Sequence, residues 1–125
     1  MIPEAPARLR LTRAMRIRQG SDFARLKKQG HRLNRGCLVI NWLELPLGSQ
    51  SRFAVITTRK LGNAVVRNRC RRLLRECFRL HQHDLRAPLE MVLVARRGVL
   101  GKKLAAVEAD YLFALRSANL LKEAA

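Results

Sequence analysis

The stretch KLGNAVVRNRCRRLLRECFR, from Lys60 to Arg79, decides the fold that we expect for this chain. It carries seven basic side chains and one acid. Its apolar residues recur at spacings of three and four, which is the period of a helix with one buried face. They are Val66, Cys70, Leu73, Leu74, Cys77 and Phe78. The pattern predicts a helix that begins at about Ala64 and packs this face against a core.

The arginines of this predicted helix form an outward array. Four step by four residues and two lie beyond them on the far side: Arg67, Arg71, Arg75 and Arg79, then Arg69 and Arg72. Like charges four residues apart destabilise an isolated helix, so core burial must hold it, and a polyanion would relieve the repulsion. A solvated charged face usually mixes signs, and this one scarcely does. The pattern favours nucleic-acid binding, in a DNA major groove or along a folded RNA, while a membrane surface is not excluded.

The composition of the whole chain supports a polyanionic partner. The 125 residues suffice for one domain, and 48% are apolar, which is enough for a packed core. Lys and Arg total 26 against 9 acids, which gives a net charge of +17. We see no apolar run that could span a bilayer and no secretory signal. Three cysteines, an odd number, argue for a reducing cytoplasm.

The remaining segments predict an α/β (α+β) fold with the element order α-β-β-α-β-α. GSDFARLKKQG is typical of a short helix with Ser21 as its N-cap and Gly30 as its stop. The segments CLVINWLEL, RFAVITT and MVLVARR are strand-like, and a last helix is expected from about Lys102 to Leu121. A strand, a helix and another strand in sequence indicate a parallel pair joined by a crossover.

The two ends of the chain are predicted to lie outside the folded domain. Residues 1–15, with two prolines and little periodicity, are predicted to be a flexible basic N-terminal extension, and residues 122–125 a C-terminal tail.

No catalytic or metal-binding constellation stands out in the sequence. Cys37, Cys70 and Cys77 make no CxxC pair and are interpreted as small core residues. A cluster of His81, His83 and Asp84 could hold an ion or act as acid and base, although such a cluster in a polar loop is more often solvated. We therefore predict no catalytic residue and no metal ligand.

The segment RKLGNAVVRNRCRRLLRECFR closely resembles the signature of the protein subunit of bacterial ribonuclease P, with its Arg-Asn-Arg core at Arg67, Asn68 and Arg69. SDFARLKKQG upstream resembles the first helix of that family, and VLVARRG downstream resembles its last strand. The resemblance covers roughly residues 16 to 121, and it implies that these residues form a single RNA-binding domain.

The resemblance implies a small two-layer sandwich around a central mixed sheet, with a left-handed βαβ crossover. It implies a cytoplasmic ribonucleoprotein that removes the 5′ leader of precursor tRNA by phosphodiester hydrolysis. The RNA subunit, which binds most of the Mg²⁺, carries the catalysis. The protein binds that catalytic RNA and the leader and lowers the Mg²⁺ requirement. The chain alone is expected to be a monomer.

The resemblance also implies two sets of site residues. Those expected to bind the RNA subunit are Arg59, Lys60, Asn63, Arg67, Asn68, Arg69, Arg71, Arg72 and Arg75. Those expected at the leader are Phe23, Lys27, Ile40, Arg96 and Arg97. Lys27 and Ile40 stand where the family often has aromatics, so the grip on the leader is expected to rest more on charge than on stacking.

A purely structural role remains open for some of these residues, and two other functions remain open for the protein. Asn63 could serve mainly as a turn or cap residue, Phe23 as a core residue and Arg79 as a solvated charge. One rival function is a non-catalytic RNA-binding or ribosome-associated protein. The other is a stand-alone nuclease that uses His81, His83 and Asp84.

Overall fold

The computed structural model describes residues 10–17 and 19–122 of the chain. Three helices and four strands make up the fold. The helices are α1 (Gly20–Gln29), α2 (Ala64–His81) and α3 (Leu104–Ser117). The strands are β1 (His31–Arg35), β2 (Leu38–Glu44), β3 (Arg52–Ile56) and β4 (Leu89–Ala95). Short 3₁₀ turns lie at Arg13–Met15, Arg59–Leu61 and Arg97–Val99.

The four strands form one mixed sheet in the order β1-β2-β4-β3. β4 pairs antiparallel with β2 and parallel with β3. Because α2 connects β3 to β4, the predicted parallel pair with a helical crossover is confirmed. The left-handed sense of that crossover stays an expectation from the family resemblance.

Among the three α-helices and four strands of the described residues, β1 is the one that the sequence did not predict. Its five residues, HRLNR, contain a single apolar side chain, Leu33, and the other four are exposed. The strand lies at the sheet edge and pairs only with β2 among the described strands. An edge strand whose side chains are mostly exposed shows little of the apolar alternation that marks half-buried strands.

One face of the sheet is covered by α2 and α3 and forms the main core. Ile40 and Leu93 from the sheet meet Leu74 of α2 and Tyr111 of α3 in one buried cluster. Phe78 of α2 stacks on a sheet phenylalanine with the ring centroids 4.3 Å apart. The apolar stripe predicted for α2 is therefore the side on which this helix packs.

The other face of the sheet is covered only in part, by α1. Leu26 of α1 packs with Ile17 and Val92 in a second, smaller buried cluster. Gly30 ends α1, as predicted, and it allows a close approach to β2. A Cβ at this glycine would lie 2.7 Å from the carbonyl oxygen of Trp42 and 2.5 Å from that of Leu26. The prediction that Ser21 is the N-cap was wrong, because α1 already begins at Gly20 and Gln19 occupies the cap position.

A network of four charges ties the start of α1 to the sheet. Arg52 of β3 donates to Asp22 of α1 at 3.0 Å and to Glu90 of β4 at 3.3 Å. Arg25 of α1 also pairs with both carboxylates. Glu90 is only 2% exposed, so its charge depends on these two guanidinium partners. The network fixes the helix that carries Phe23 and Lys27.

The ends of the folded domain differ from the predicted boundaries. Residues 1–9 of the predicted extension lie outside the described residues, but residues 13–15 form a 3₁₀ turn whose Met15 is buried. The folded domain therefore starts before residue 16. Helix α3 ends at Ser117 rather than Leu121, since Asn119 adopts a left-handed φ of 58° that stops a helix. Lys122 of the predicted tail donates its amide to the Asp84 carbonyl, and residues 123–125 lie outside the described residues.

The described helices include none that is long and apolar enough to cross a membrane.

Candidate nucleic-acid interface

The start of α2 is set by a glycine and a cap. Gly62 has φ of 141°, which an L side chain rarely adopts, and it turns the chain from the Arg59–Leu61 turn into the helix. The side chain of Asn63 accepts a hydrogen bond from the Val66 amide at 3.1 Å. Asn63 is therefore the N-cap of α2, which confirms the cap reading of this residue.

The helix presents a surface that we call the arginine face. It consists of Arg67, Arg69, Arg71, Arg72 and Arg75. Arg69 and Arg72 are exposed and the other three are half-buried. Within residues 10–17 and 19–122, no carboxylate forms a salt bridge with any of the five. Arg79, one turn further on, does pair with Glu76, so it is not part of this face.

Burial and mutual repulsion make the arginine face costly in the absence of a partner. The Nε atoms of Arg67 and Arg75 are buried and lack a hydrogen-bond partner among the described residues. Burial lowers the pKa of Arg75, and the nearby charges of Arg16, Arg71 and Arg72 lower it further. An anion placed against this surface would relieve both penalties.

Two arginines of the face are held in position by hydrogen bonds within the protein. Arg69 donates to the carbonyl oxygen of Lys102, in the loop before α3, at 2.5 Å. Arg71 donates to the side-chain oxygen of Asn68 at 3.0 Å. These bonds leave the charges uncompensated but restrict the side chains, which lowers the entropy that binding would remove.

A second basic surface lies beside the start of α2. Arg59 and Lys60 are exposed on the 3₁₀ turn that precedes Gly62. Lys60 lines a groove of about 660 Å³ together with Arg96 and Arg97. The structure thus brings Arg96 and Arg97 together with Lys60, whereas we expected them beside Phe23 and Lys27.

The uncovered part of the sheet forms a depression that we call the sheet cleft. Its volume is about 290 Å³. It is lined by Phe23, Leu26, Lys27, Arg32, Asn41, Ile56 and Val92. Phe23 is half-buried and Lys27 is exposed, so both predicted leader residues present surface here. The cleft contains one aromatic ring among its lining residues, as the departures from the family pattern led us to expect.

Ile40 does not line the sheet cleft. It is 1% exposed and packs in the main core on the opposite face of the sheet. Because successive strand residues point to opposite faces, the cleft-facing residue of β2 is Asn41. Ile40 is therefore removed from the candidate site, and Asn41 and its cross-strand partner Arg32 are added. The strand alternation carried this information, but β1 had not been predicted.

The sheet cleft and the arginine face share a border. A groove of about 260 Å³ is lined by Phe23 and Ile56 together with Arg16, Arg71 and Arg75. Phe23 and Ile56 also line the cleft. A single extended ligand could therefore pass from one surface to the other without leaving the protein.

A comparison with known proteins identifies the family of the chain that bears these two surfaces. The sequence model of the family described as Ribonuclease P matches residues 11–119. The chain belongs to the ribonuclease P protein family. Family membership makes it a subunit of the ribonucleoprotein ribonuclease that processes the 5′ leader of tRNA.

Individual relatives agree with the family match in sequence and in structure. The ribonuclease P protein component of Syntrophomonas wolfei is 34% identical over 110 residues, which cover 88% of this chain and 92% of that protein. The Staphylococcus aureus RNase P protein superposes with a TM-score of 0.78 at 25% identity, over 88% of this chain and all of that one. The Thermotoga maritima RNase P protein superposes with a TM-score of 0.71 at 25% identity, over 82% of this chain and 96% of that one.

His81, from the predicted histidine cluster, lies outside the two surfaces and connects separate parts of the fold by hydrogen bonds. His81, at the end of α2, bonds Asp84 through Nδ1 at 2.8 Å and Glu108 of α3 through Nε2 at 2.9 Å. Both ring nitrogens are therefore engaged by carboxylates on opposite sides of the imidazole. Burial disfavours the charged ring, but the two carboxylates outweigh it and raise the pKa of His81 above its ordinary value.

The His81 tie predicts a pH-dependent contribution to stability. A pKa that is higher in the folded state gives a contribution that is full below the unfolded pKa of about 6.5. It is lost as the pH rises through the folded value. We expect His81→Gln to lower the free energy of unfolding by on the order of 1 kcal/mol at acid pH, and by less at alkaline pH. Urea unfolding of both proteins at about pH 5.5 and about pH 8.5 measures this. A deficit that stays constant or grows with pH would contradict it.

The cysteines are confirmed as small core residues. Cys37, Cys70 and Cys77 are buried and free. Burial raises the pKa of the Cys37 thiol to about 11 and that of Cys77 to about 12. Both are therefore neutral thiols at physiological pH. Among the described residues, no group of three or more His, Cys, Asp or Glu side chains could hold a metal ion.

Proposed function

We propose that the arginine face binds the catalytic RNA of ribonuclease P, and that the sheet cleft binds the single-stranded 5′ leader of precursor tRNA. The observation that carries this proposal is that the arginine face, which has no carboxylate partner among the described residues, adjoins an open cleft on the sheet. Guanidinium groups suit phosphate oxygens because their planar donors match the anion geometry. The exposed residues Arg59 and Lys60 extend the contact toward the start of α2.

We propose that the cleft binds the leader both by base stacking and by charge. Phe23 offers one ring for base stacking, which contributes about 1–3 kcal/mol per base. Lys27 and Arg32 supply charge for the phosphates on either side of that base. Arg96 and Arg97, with Lys60, are assigned to RNA phosphates at the neighbouring groove rather than to the cleft itself.

We place the Mg²⁺ that supports hydrolysis mainly on the RNA subunit. The described carboxylates, imidazoles and thiols of this chain form no group of ligands that fits a metal ion. The contribution of the protein is then electrostatic: its cations screen the phosphates of the ribozyme and the leader, so that less Mg²⁺ is required. The corresponding location is the cytoplasm, and the free cysteines fit a reducing compartment.

We propose that the chain is a monomer before it binds RNA. Phe113 is the one exposed aromatic on α3 and is 46% exposed. The guanidinium of Arg35 lies 3.6 Å from the centre of its ring, so part of this apolar surface is already covered. Sedimentation of the isolated chain tests the monomer directly.

One reconstitution tests the proposed function. The chain is mixed with a bacterial ribonuclease P RNA and precursor tRNA at low Mg²⁺, and release of the 5′ leader is followed while each component is omitted in turn. We expect cleavage only when both the RNA and the protein are present, and cleavage by RNA alone only at high Mg²⁺. Binding without any stimulation of cleavage would favour a general RNA-binding protein. Cleavage by the protein alone, abolished by His83→Ala, would favour a stand-alone nuclease.

A further inference from the structure

We infer that the open edge of the sheet at β1 is a docking site for an acidic protein segment, which adds to β1 as a fifth strand. This inference goes beyond the proposed function, because it gives a protein partner to a side of the molecule that the arginine face does not reach. It rests on the unpaired edge of β1, the positive charge along that edge, and an exposed aromatic ring of α3 beside it.

The sheet has two edges, and within residues 10–17 and 19–122 only the edge at β1 is left unpaired. At the other edge, the segment before α1 runs beside β3, where the Ile17 amide donates to the Phe53 carbonyl oxygen at 2.9 Å. β1 pairs with β2 on one side only. An edge strand presents a row of backbone N–H and C=O groups to its surroundings, and another extended segment can satisfy that row.

The open edge is cationic. β1 carries Arg32 and Arg35 among its five residues and has no acid. No carboxylate in the described part of the chain forms a salt bridge with either arginine. The nearby Asp110 of α3 is already engaged by Lys102 and by the Cys37 amide. Because like charges on paired strands repel, this edge disfavours a second copy of the chain and favours an acidic strand.

Phe113 supplies an apolar contact beside the edge. Its side chain is 46% exposed, and the Arg35 guanidinium lies 3.6 Å from the centre of its ring. Arg35 and Leu33 point to the α3 side of the sheet, because Leu33 pairs with the buried Ile40. An added strand places every second side chain on this side. There an apolar side chain would meet Phe113, and a carboxylate would meet Arg35.

The edge at β1 stays accessible when RNA occupies the arginine face. Residues of β3 line the groove that contains Arg71 and Arg75, so the arginine face lies near the β3 edge. With strands about 4.8 Å apart, β1 lies about 14 Å across the sheet from β3. A nucleic acid would satisfy the charge of β1, but it has no row of alternating backbone donors and acceptors. An acidic peptide uses the charge, the backbone and the ring together, so the observations favour a protein partner.

The test uses a labelled peptide probe and the full-length chain. The probe is an end-capped octapeptide of alternating Glu and Val. The matched control peptide has Pro in place of each Val, which keeps the charge and removes half of the backbone donors. Fluorescence anisotropy at about 0.15 M salt measures binding. We expect the Glu-Val peptide to bind at least about tenfold more tightly than the Glu-Pro peptide. Equal affinities would show attraction by charge alone and would overturn the inference.

Two variants locate the binding on the protein. Arg35→Glu and Phe113→Ala should each weaken binding of the Glu-Val peptide about fivefold or more. The matched control is Arg13→Glu, which makes the same change in net charge at an exposed residue beside the β3 edge. It should change the affinity by less than about twofold. Leader release by the reconstituted holoenzyme shows that each variant is folded, because neither Arg35 nor Phe113 lies in the arginine face or the sheet cleft. An equal loss for Arg35→Glu and Arg13→Glu would contradict the inference.

Hydrogen exchange shows whether the peptide adds as a strand. The outward amides of residues 31–35 should exchange at least about tenfold more slowly when the Glu-Val peptide is bound, and unchanged exchange would overturn the inference. Displacement of the peptide by catalytic RNA would assign the edge to nucleic acid, and a dimer of the free chain that Phe113→Ala dissociates would assign it to a second copy. Either result also overturns the inference. If the catalytic RNA does not bind the chain at all, the proposed function fails, and the peptide measurements still decide the inference.

Discussion

Replacement of Arg67, Arg69 and Arg72 together by alanine is expected to lower the affinity for the catalytic RNA by about two to three orders of magnitude at about 0.1 M salt. Each phosphate contact contributes roughly 0.7–0.9 to the slope of log affinity against log salt, so three lost contacts flatten the slope by about 2–3. The effect is large because these guanidinium groups have no carboxylate partner among the described residues.

Titrations of labelled RNA over a series of KCl concentrations measure both the affinity and the slope. A matched control removes three positive charges elsewhere: Lys28 on α1, Arg116 on α3 and Lys122 beyond it. It carries the same net charge as the triple arginine variant but leaves the arginine face intact. An equal loss in both variants, or an unchanged slope in the first, would show that the arginine face is not the contact surface.

Replacement of Phe78 by alanine is expected to lower the free energy of unfolding by about 3–5 kcal/mol. That is a large part of the roughly 5–15 kcal/mol by which small domains are stable. Phe78 is fully buried and stacks on Phe53 with the centroids 4.3 Å apart. It also anchors α2. The arginines of this helix repel one another, so they would destabilise the helix if it were isolated. Urea unfolding of the two proteins measures the loss.

Catalytic RNA should restore part of the stability that Phe78→Ala removes. A ligand that binds only the folded state adds about 2.7 kcal/mol when present at 100 times its dissociation constant. The matched control is Phe113→Ala, since Phe113 is an exposed phenylalanine on α3 and its loss should cost less than about 1 kcal/mol. Equal costs at Phe78 and Phe113 would mean that the core contact of α2 does not support the fold.

The sequence predicted the elements whose buried residues recur with the period of a helix or a strand. It missed the features whose position depends on contacts between segments that lie far apart in the sequence. The spacing of Cys70, Leu74 and Phe78 predicted the buried side of α2, and the start expected at about Ala64 is where the helix begins. Strand β1 was missed because four of its five residues are exposed, so the segment shows no clear apolar alternation. That omission hid Arg32, which reaches the cleft only through its pairing with Asn41.

The candidate site was predicted to a similar extent. The arginine face followed from helical periodicity, and the family resemblance gave it an RNA partner. Ile40 was placed in the cleft although its side chain points to the core, because the choice between Ile40 and Asn41 depends on which face of the sheet α1 leaves open. The grouping of Lys60 with Arg96 and Arg97 depends on how two turns far apart in sequence meet in the fold.

The shared border of the two surfaces has a thermodynamic consequence. Phe23 and Ile56 belong both to the wall that faces Arg71 and Arg75 and to the floor on which a leader would rest. Under the proposed function, an ordering of these two side chains that both ligands require is already in place once either ligand has bound, so docking on the ribozyme and capture of the leader would reinforce each other. By reciprocity, the leader would then strengthen binding to the ribozyme by the same factor.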